Sequence, residues 1–358
     1  MKLLIAGGGT GGHVFPALAV AREWLRRGKE REVVMVGTER GLEARLVGAA
    51  GLPLETVRAA GLKGMRPGRL LRNLATLPLA LADSFRVLHR HKPQVAFGTG
   101  GYASGPALFA AAWQGVPVVL FESNVVPGLA NRLLAPLATR VAVAHEEAAQ
   151  YFLGRARVTG CPVRPEFFRA PRRVPHAAGE PFTVLVTGGS QGAQAINRAV
   201  TGALDRLAAH KHRLRLIHQT GEREYEAVRE AYARRGLPAE VVAFLDDMPE
   251  RFAQADLILC RAGALTVAEV AAAGRAALLV PFAAATDSHQ LRNAALLAEA
   301  GAARMIREEE LTPARLAEEI LALLDQPQHL AEMGERARAF ARSAAVEAIV
   351  NLLEEVAP

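Results

Sequence analysis

Short apolar runs punctuate the chain: KLLIAG from Lys2, EVVMVG from Glu32, QVAFG from Gln94 and VPVVLFE from Val116. Between them lie Ala/Leu/Arg stretches whose apolar positions recur with helical period. Continuous apolar runs of this length, alternating with amphipathic helices, predict parallel strands joined by crossover helices. The pattern then restarts. KLLIAGGGTGGHVFPALAVA, from Lys2, is echoed by FTVLVTGGSQGAQAINRAV, from Phe182. VAFGTGGYASGPALFAAAWQGVPVVLFES, from Val95, is echoed by LILCRAGALTVAEVAAAGRAALLVPFAAA, from Leu257. Each pair reads strand, glycine turn, helix, and the second pair continues to a glycine stop and a further strand. An echo of this size predicts two α/β domains.

The boundary is expected at TGCPVRPEF, where Pro162 and Pro165 break regular structure, and the proline-bearing tract from Ala170 to Glu180 continues the linker. The expected domains are residues 1–162 and 163–340, with 341–358 a terminal helix packing back on the first domain. Helical pattern runs from about Ala331 to Val356.

A chain of 358 residues exceeds the usual span of one core, and 51% hydrophobic content excludes a disordered chain. Two cysteines, Cys161 and Cys260, form neither a disulfide framework nor a zinc spacing. Leu3 to Ala6 is too short for a signal peptide, and no run of apolar residues is long enough to span a membrane. The net charge of +7 points to an anionic partner. Nucleic acid is disfavoured, because aromatics make up only 5% and no basic run is interleaved with stacking rings. The stretch from Arg58 to Lys92 instead mixes eight Lys or Arg and one acidic residue, Asp83, with many leucines. That composition suits either a solvated helix face or a surface that rests on anionic lipid.

Glycine loops follow the strands, where a helix N-terminus and open sheet edge receive anions. Gly7, Gly9 and Gly12 satisfy the dinucleotide fingerprint, with Glu39 after the second strand, so a nicotinamide enzyme is one reading. His13 stands where that turn becomes a helix, either as a packing imidazole or as a base near neutral pKa. Ser190 lies in GGSQGAQ, which suits an anion but lacks the Lys of a P-loop. In RAGALTVAEVAAAG, Glu269 either complements a helix dipole or accepts the hydroxyls of a ribose. Asp287, His289 and Gln290 are polar groups suited to a sugar, and Asp246–Asp247 alone makes a poor metal site.

Taken in order, GGTGGH (Gly8–His13), GGYASGP (Gly101–Pro106), GGSQGA (Gly188–Ala193) and GALTVAE (Gly263–Glu269) resemble the bacterial MurG glycosyltransferase family over nearly the whole chain. The resemblance implies a GT-B fold, two Rossmann-like domains with parallel sheets facing a central cleft. It implies transfer of N-acetylglucosamine from UDP-N-acetylglucosamine to undecaprenyl-pyrophosphoryl-N-acetylmuramyl-pentapeptide, with inversion, at the cytoplasmic face of the membrane and with no required cofactor or metal. Carried over by motif, Arg164 and the Leu245 backbone flank the uracil, and Glu269 takes the ribose. Ser190 and the turn of Ala264, Leu265 and Thr266 hold the pyrophosphate, and Val267 and Ala268 after it are counted with the donor site. Thr10, Gly11, Gly12, Asn124 and Gln290 meet the sugar or reacting centre. Gly9, Gly101, Tyr102 and Ser104 serve the acceptor. His13 is the expected base or its hydrogen-bond partner, and Glu122 is the competitor. Phe121-Glu122-Ser123-Asn124 stands where the family often has His-Glu-Gln-Asn, so only Glu122 and Asn124 carry over.

Overall fold

The computed structural model describes residues 1–39, 41–59, 75–101, 103–171, 180–189, 191–283 and 288–358. The chain forms two compact units, one of Met1–Val163 with Arg342–Pro358 and one of Arg164–Ala341.

The first unit is built on seven strands: β1 (Lys2–Gly7), β2 (Glu32–Gly37), β3 (Leu54–Thr56), β4 (Val95–Gly100), β5 (Val118–Glu122), β6 (Arg140–Val143) and β7 (Ala156–Val158). They lie in the order β3-β2-β1-β4-β5-β6-β7, every pairing parallel. Helices cover both faces, which is why β1 and β4 are apolar along their length and buried, Leu3 to Ala6 and Val95 to Phe97 alike.

The second unit repeats the plan with β8 (Phe182–Thr187), β9 (Leu214–Gln219), β10 (Ala239–Val242), β11 (Leu257–Cys260), β12 (Ala276–Leu279) and β13 (Arg304–Met305). Their order is β10-β9-β8-β11-β12-β13, again parallel throughout. The internal echo therefore marks equivalent positions. β1 and β8 open the sheets, β4 and β11 flank them, and the winding direction reverses between each pair. That switch point is where open α/β sheets take ligands.

The terminal stretch is not one helix. Pro327–Arg338 ends in the second unit, and Ala345–Val356 begins after the chain has passed into the first. The last helix is tied there by Arg27 to Glu354 at 2.8 Å and Arg157 to Glu355 at 2.6 Å. The guanidinium of Arg275, buried in the second unit, donates to the carbonyls of Phe252, Ala253 and Pro171. It thereby anchors the start of the linker tract.

Candidate active site

In the first unit the carboxyl ends of β1, β4 and β5 present the candidate residues. The β1 loop passes through Gly9 in a left-handed conformation (φ 88°) to Thr10, the N-cap of the Gly11–Arg26 helix. The β4 loop crosses it directly. A side chain on Gly101 (φ 90°) would run into the Gly8 backbone, so this close approach requires glycine. His13, in the first turn of the helix, places Nδ1 3.1 Å from the Gly8 carbonyl and 3.3 Å from Thr10 Oγ1, with Nε2 over Gly100. Thr10, Gly11, Gly12 and His13 thus lie together at the switch point.

Three expectations for this unit need correction. Glu122 is not placed as a base. It is buried, and its two oxygens accept from the Asn124 amide, Asn124 Nδ2, the Gly128 amide and Asn131 Nδ2, each at 2.9 Å. A carboxylate surrounded by four internal donors is a clamp for the turn after β5, and what it positions is Asn124. Ser104 is fully buried and its hydroxyl donates to the Gly101 carbonyl at 2.8 Å, so it shapes the loop without facing an acceptor. The Gly9 amide donates to Glu43 at 2.8 Å and is not open to a phosphate. Tyr102 lies outside the described residues, as does most of the basic-apolar stretch, residues 60–74.

In the second unit the loop after β8 turns through Gly189 (φ 81°) and Gly192 (φ 73°). Gly192 lies directly against the Thr220 carbonyl, where no side chain fits. Ser190 lies outside the described residues. Gln219, at the end of β9, braces this loop. Its amide donates to the Gly189 carbonyl at 3.0 Å and the Ala243 carbonyl at 3.2 Å, while its oxygen accepts from Thr187. One buried side chain thereby links the glycine turn to the segment carrying Leu245. The Leu245 side chain is buried, and Phe244 beside it is exposed.

The loop after β11 ends at Gly263, the N-cap of the Ala264–Ala273 helix. The amides of Ala264, Leu265 and Thr266 have no intrahelical acceptor, by helix geometry. Val267 needs correction: its side chain is buried and its amide donates to the Gly263 carbonyl at 2.9 Å. Ala268, a turn further in, sits half-buried behind that first turn. Glu269 is buried in the same helix, with Arg164 Nη2 3.9 Å from its Oε1. Burial pushes the Glu269 carboxyl up to about 7, the Arg164 guanidinium pulling it partly back. Arg164 also stacks over Phe167, 5.0 Å from the ring centroid.

Gln290 opens the His289–Glu299 helix and accepts from the Phe282 amide at 3.0 Å, which fixes its carbonyl and aims its NH₂ elsewhere. Arg261, which sequence reasoning did not select, orders the same loop. It donates to the Val280 carbonyl at 3.2 Å, pairs with Glu308 at 2.9 Å and lies over Phe282. Asp287 lies outside the described residues. Asp247 pairs with Arg251 at 2.8 Å. Among the described residues no group of three His, Cys, Asp or Glu is placed to hold a metal ion.

Each switch point thus carries a glycine loop and a helix N-terminus. The glycosyltransferase family 28 N-terminal domain matches residues 3–143, and the family 28 C-terminal domain matches residues 183–349. A UDP-N-acetylglucosamine–N-acetylmuramyl-(pentapeptide) pyrophosphoryl-undecaprenol N-acetylglucosamine transferase from Myxococcus xanthus is 46% identical over 98% of this chain and 92% of that protein. The crystal structure of MurG from Acinetobacter baumannii superposes with a TM-score of 0.79 at 33% identity, covering 99% of both chains. The chain belongs to the MurG family. A UDP-GlcNAc 2-epimerase from Neisseria meningitidis, with a TM-score of 0.69 at 14% identity, is similar in fold alone. MurG membership makes the chain a glycosyltransferase of GT-B fold and leaves no place for the nicotinamide reading of Gly7, Gly9 and Gly12.

Proposed function

We propose that the chain transfers N-acetylglucosamine from UDP-N-acetylglucosamine to the C4 hydroxyl of undecaprenyl-pyrophosphoryl-N-acetylmuramyl-pentapeptide, converting lipid I to lipid II. The observation that carries this reading is the pairing of full-length MurG similarity with a glycine loop and helix N-terminus at both switch points.

The second unit holds the donor. Arg164 and the Leu245 backbone flank the uracil, and the Glu269 carboxylate accepts from the ribose hydroxyls. The Gly188–Gly192 turn, with Ser190, and the first-turn amides of Ala264, Leu265 and Thr266 receive the diphosphate. Gln290 offers its NH₂ to the sugar. The first unit holds the acceptor through the β4 loop at Gly101 and Tyr102, and we assign Thr10, Gly11, Gly12 and Asn124 to the sugar or the reacting centre.

In the reaction, the C4 oxygen forms a bond to C1 as the bond from C1 to the β-phosphate oxygen breaks. The electron pair leaves with UDP, and the hydroxyl proton passes to His13 Nε2. A single displacement of this kind inverts C1. Helix-terminal amides carry the charge developing on the leaving diphosphate, and we assign that role to them without a metal or cofactor; turnover unchanged by EDTA is the expected outcome.

The acceptor's lipid stays in the membrane, and the first unit offers a surface for it. Trp113 is 74% exposed and stacks with Phe109, and Leu79 and Leu133 are exposed on the two helices packed beside theirs, with Arg132 next to Leu133. No described helix is long and apolar enough to cross a membrane. We place this face on the anionic cytoplasmic surface, as a peripheral contact. The test of the chemistry is a lipid I analogue lacking the C4 hydroxyl. It should bind and inhibit without releasing UDP, and UDP release at the normal rate would refute the displacement.

A further inference from the structure

Glu43 is assigned no role in the donor and acceptor binding proposed above, yet it is 1% exposed and holds the Gly9 amide of the β1 loop. Its Oε2 accepts from the Gly9 amide at 2.8 Å; its Oε1 accepts from the Thr38 amide at 2.9 Å and the Thr38 hydroxyl at 2.7 Å. Gly8, Gly37 and Gly41 surround it, and a side chain on any of the three would run into the Glu43 side chain. Glu43 also sits in the first turn of the Leu42–Ala49 helix, where the dipole favours negative charge. Although burial opposes ionisation, these hydrogen bonds hold the carboxyl below its ordinary range. Glu43 is a buried anion in a cage built for it.

The Gly9 amide belongs to the same planar peptide group as the Gly8 carbonyl. That carbonyl lies 3.1 Å from His13 Nδ1. A carbonyl oxygen only accepts, so the contact requires Nδ1–H and leaves the neutral imidazole's lone pair on Nε2. The two hydrogen bonds run in series, from imidazole N–H to C=O and from N–H to carboxylate, and each polarises the other.

We propose that Glu43 is a positioning residue for His13, acting through the Gly8–Gly9 peptide to fix the ring's tautomer and strengthen it as a base. The proposal rests on His13 being the base of the transfer. It also gives the first glycine loop a second role, in which it presents a polarised carbonyl to the imidazole.

Two measurements test it. The first is ¹⁵N NMR of histidine-labelled, unmodified protein at a pH where His13 is neutral. Nδ1 should carry the proton, and the Gly9 amide should be protected from exchange. An Nε2–H tautomer, or a rapidly exchanging Gly9 amide, overturns the relay even if no Glu43 variant folds. The second is Glu43→Gln, which keeps the volume. A glutamine oxygen facing Thr38 turns its NH₂ against the Gly9 amide, so one bond must break. The kcat should fall about ten-fold, with KM for UDP-N-acetylglucosamine and Kd for UDP within about two-fold, and the Nδ1–H fraction should drop. In a His13→Ala background the same change should cost less than about two-fold. An equal loss in both backgrounds overturns the coupling. Failure of the base reading looks different, since His13→Ala alone would then turn over at the wild-type rate.

Discussion

Arg164 Nη2 stands 3.9 Å from Glu269 Oε1, close enough to favour the carboxylate but beyond the range of a hydrogen bond. Glu269 therefore lacks a close partner in this pair and keeps a carboxyl pushed by burial up to about 7. Ribose hydroxyls donate to the ionised form, so UDP binding should release a proton. Affinity for UDP should rise as pH increases through about 7 and level off above it, with Glu269→Gln flattening the profile. The free protein has the opposite dependence. A raised carboxyl stabilises the fold most below its unfolded value near 4.5, and that stability is lost as pH rises through about 7. Calorimetric titration over about one and a half pH units either side of that value, run in buffers of different ionisation enthalpy, reads the proton count.

His13→Ala should lower turnover about 10²–10⁴-fold while leaving the Kd for UDP unchanged, as expected for loss of a general base. Steady-state kinetics with a lipid I analogue, together with UDP titration, separate the two quantities. A parallel loss of UDP affinity would assign His13 to donor binding.

Glu122→Gln should act on the fold first. The carboxylate accepts from four donors, and glutamine sets its own NH₂ against some of them. A stability loss of about 2–4 kcal/mol is expected, with lost activity following from misplaced Asn124. Denaturant melts would show this, whereas an unchanged midpoint with activity abolished would return Glu122 to the chemistry.

Two glycines of the same handedness separate strain from collision. Gly51 (φ 67°) has open space where a side chain would go, and Gly192 (φ 73°) meets the Thr220 carbonyl. Gly51→Ala should cost about 1 kcal/mol and leave UDP binding intact. Gly192→Ala should cost more, about 2–4 kcal/mol, and weaken UDP binding by moving the turn. Thermal melts with and without UDP distinguish them.

Trp113→Glu should weaken binding to vesicles containing anionic phospholipid by about ten-fold or more, judged from the apolar area an indole buries. Turnover of a water-soluble acceptor analogue should stay at the wild-type level. Unchanged vesicle sedimentation would move the membrane surface elsewhere on the chain.

The fold was legible because strands buried on both faces must be continuously apolar, and KLLIAG and FTVLVT announce themselves that way. The glycine turns were legible for a related reason, since only glycine permits Gly101 to lie against Gly8 and Gly192 against Thr220. Side-chain roles set by tertiary contact were harder to read. Glu122 at a strand end looks like a base until Asn124, Gly128 and Asn131 fold around it. Glu43 is 34 residues from the amide it holds, in a short helix whose pattern gives no hint of a buried anion. Gln219 and Arg261 brace loops through backbone carbonyls, and periodicity along one strand does not reveal which carbonyls lie opposite.

The central claim is transfer from a UDP-sugar to a lipid-linked muramyl acceptor, and acceptor-dependent release of UDP tests it most directly. UDP released from UDP-N-acetylglucosamine is measured with and without a lipid I analogue, in the wild type and in Glu269→Ala. Release that requires the acceptor, yields a disaccharide product and collapses in Glu269→Ala is the predicted result. Release at the same rate without acceptor, or none with it, would contradict that claim.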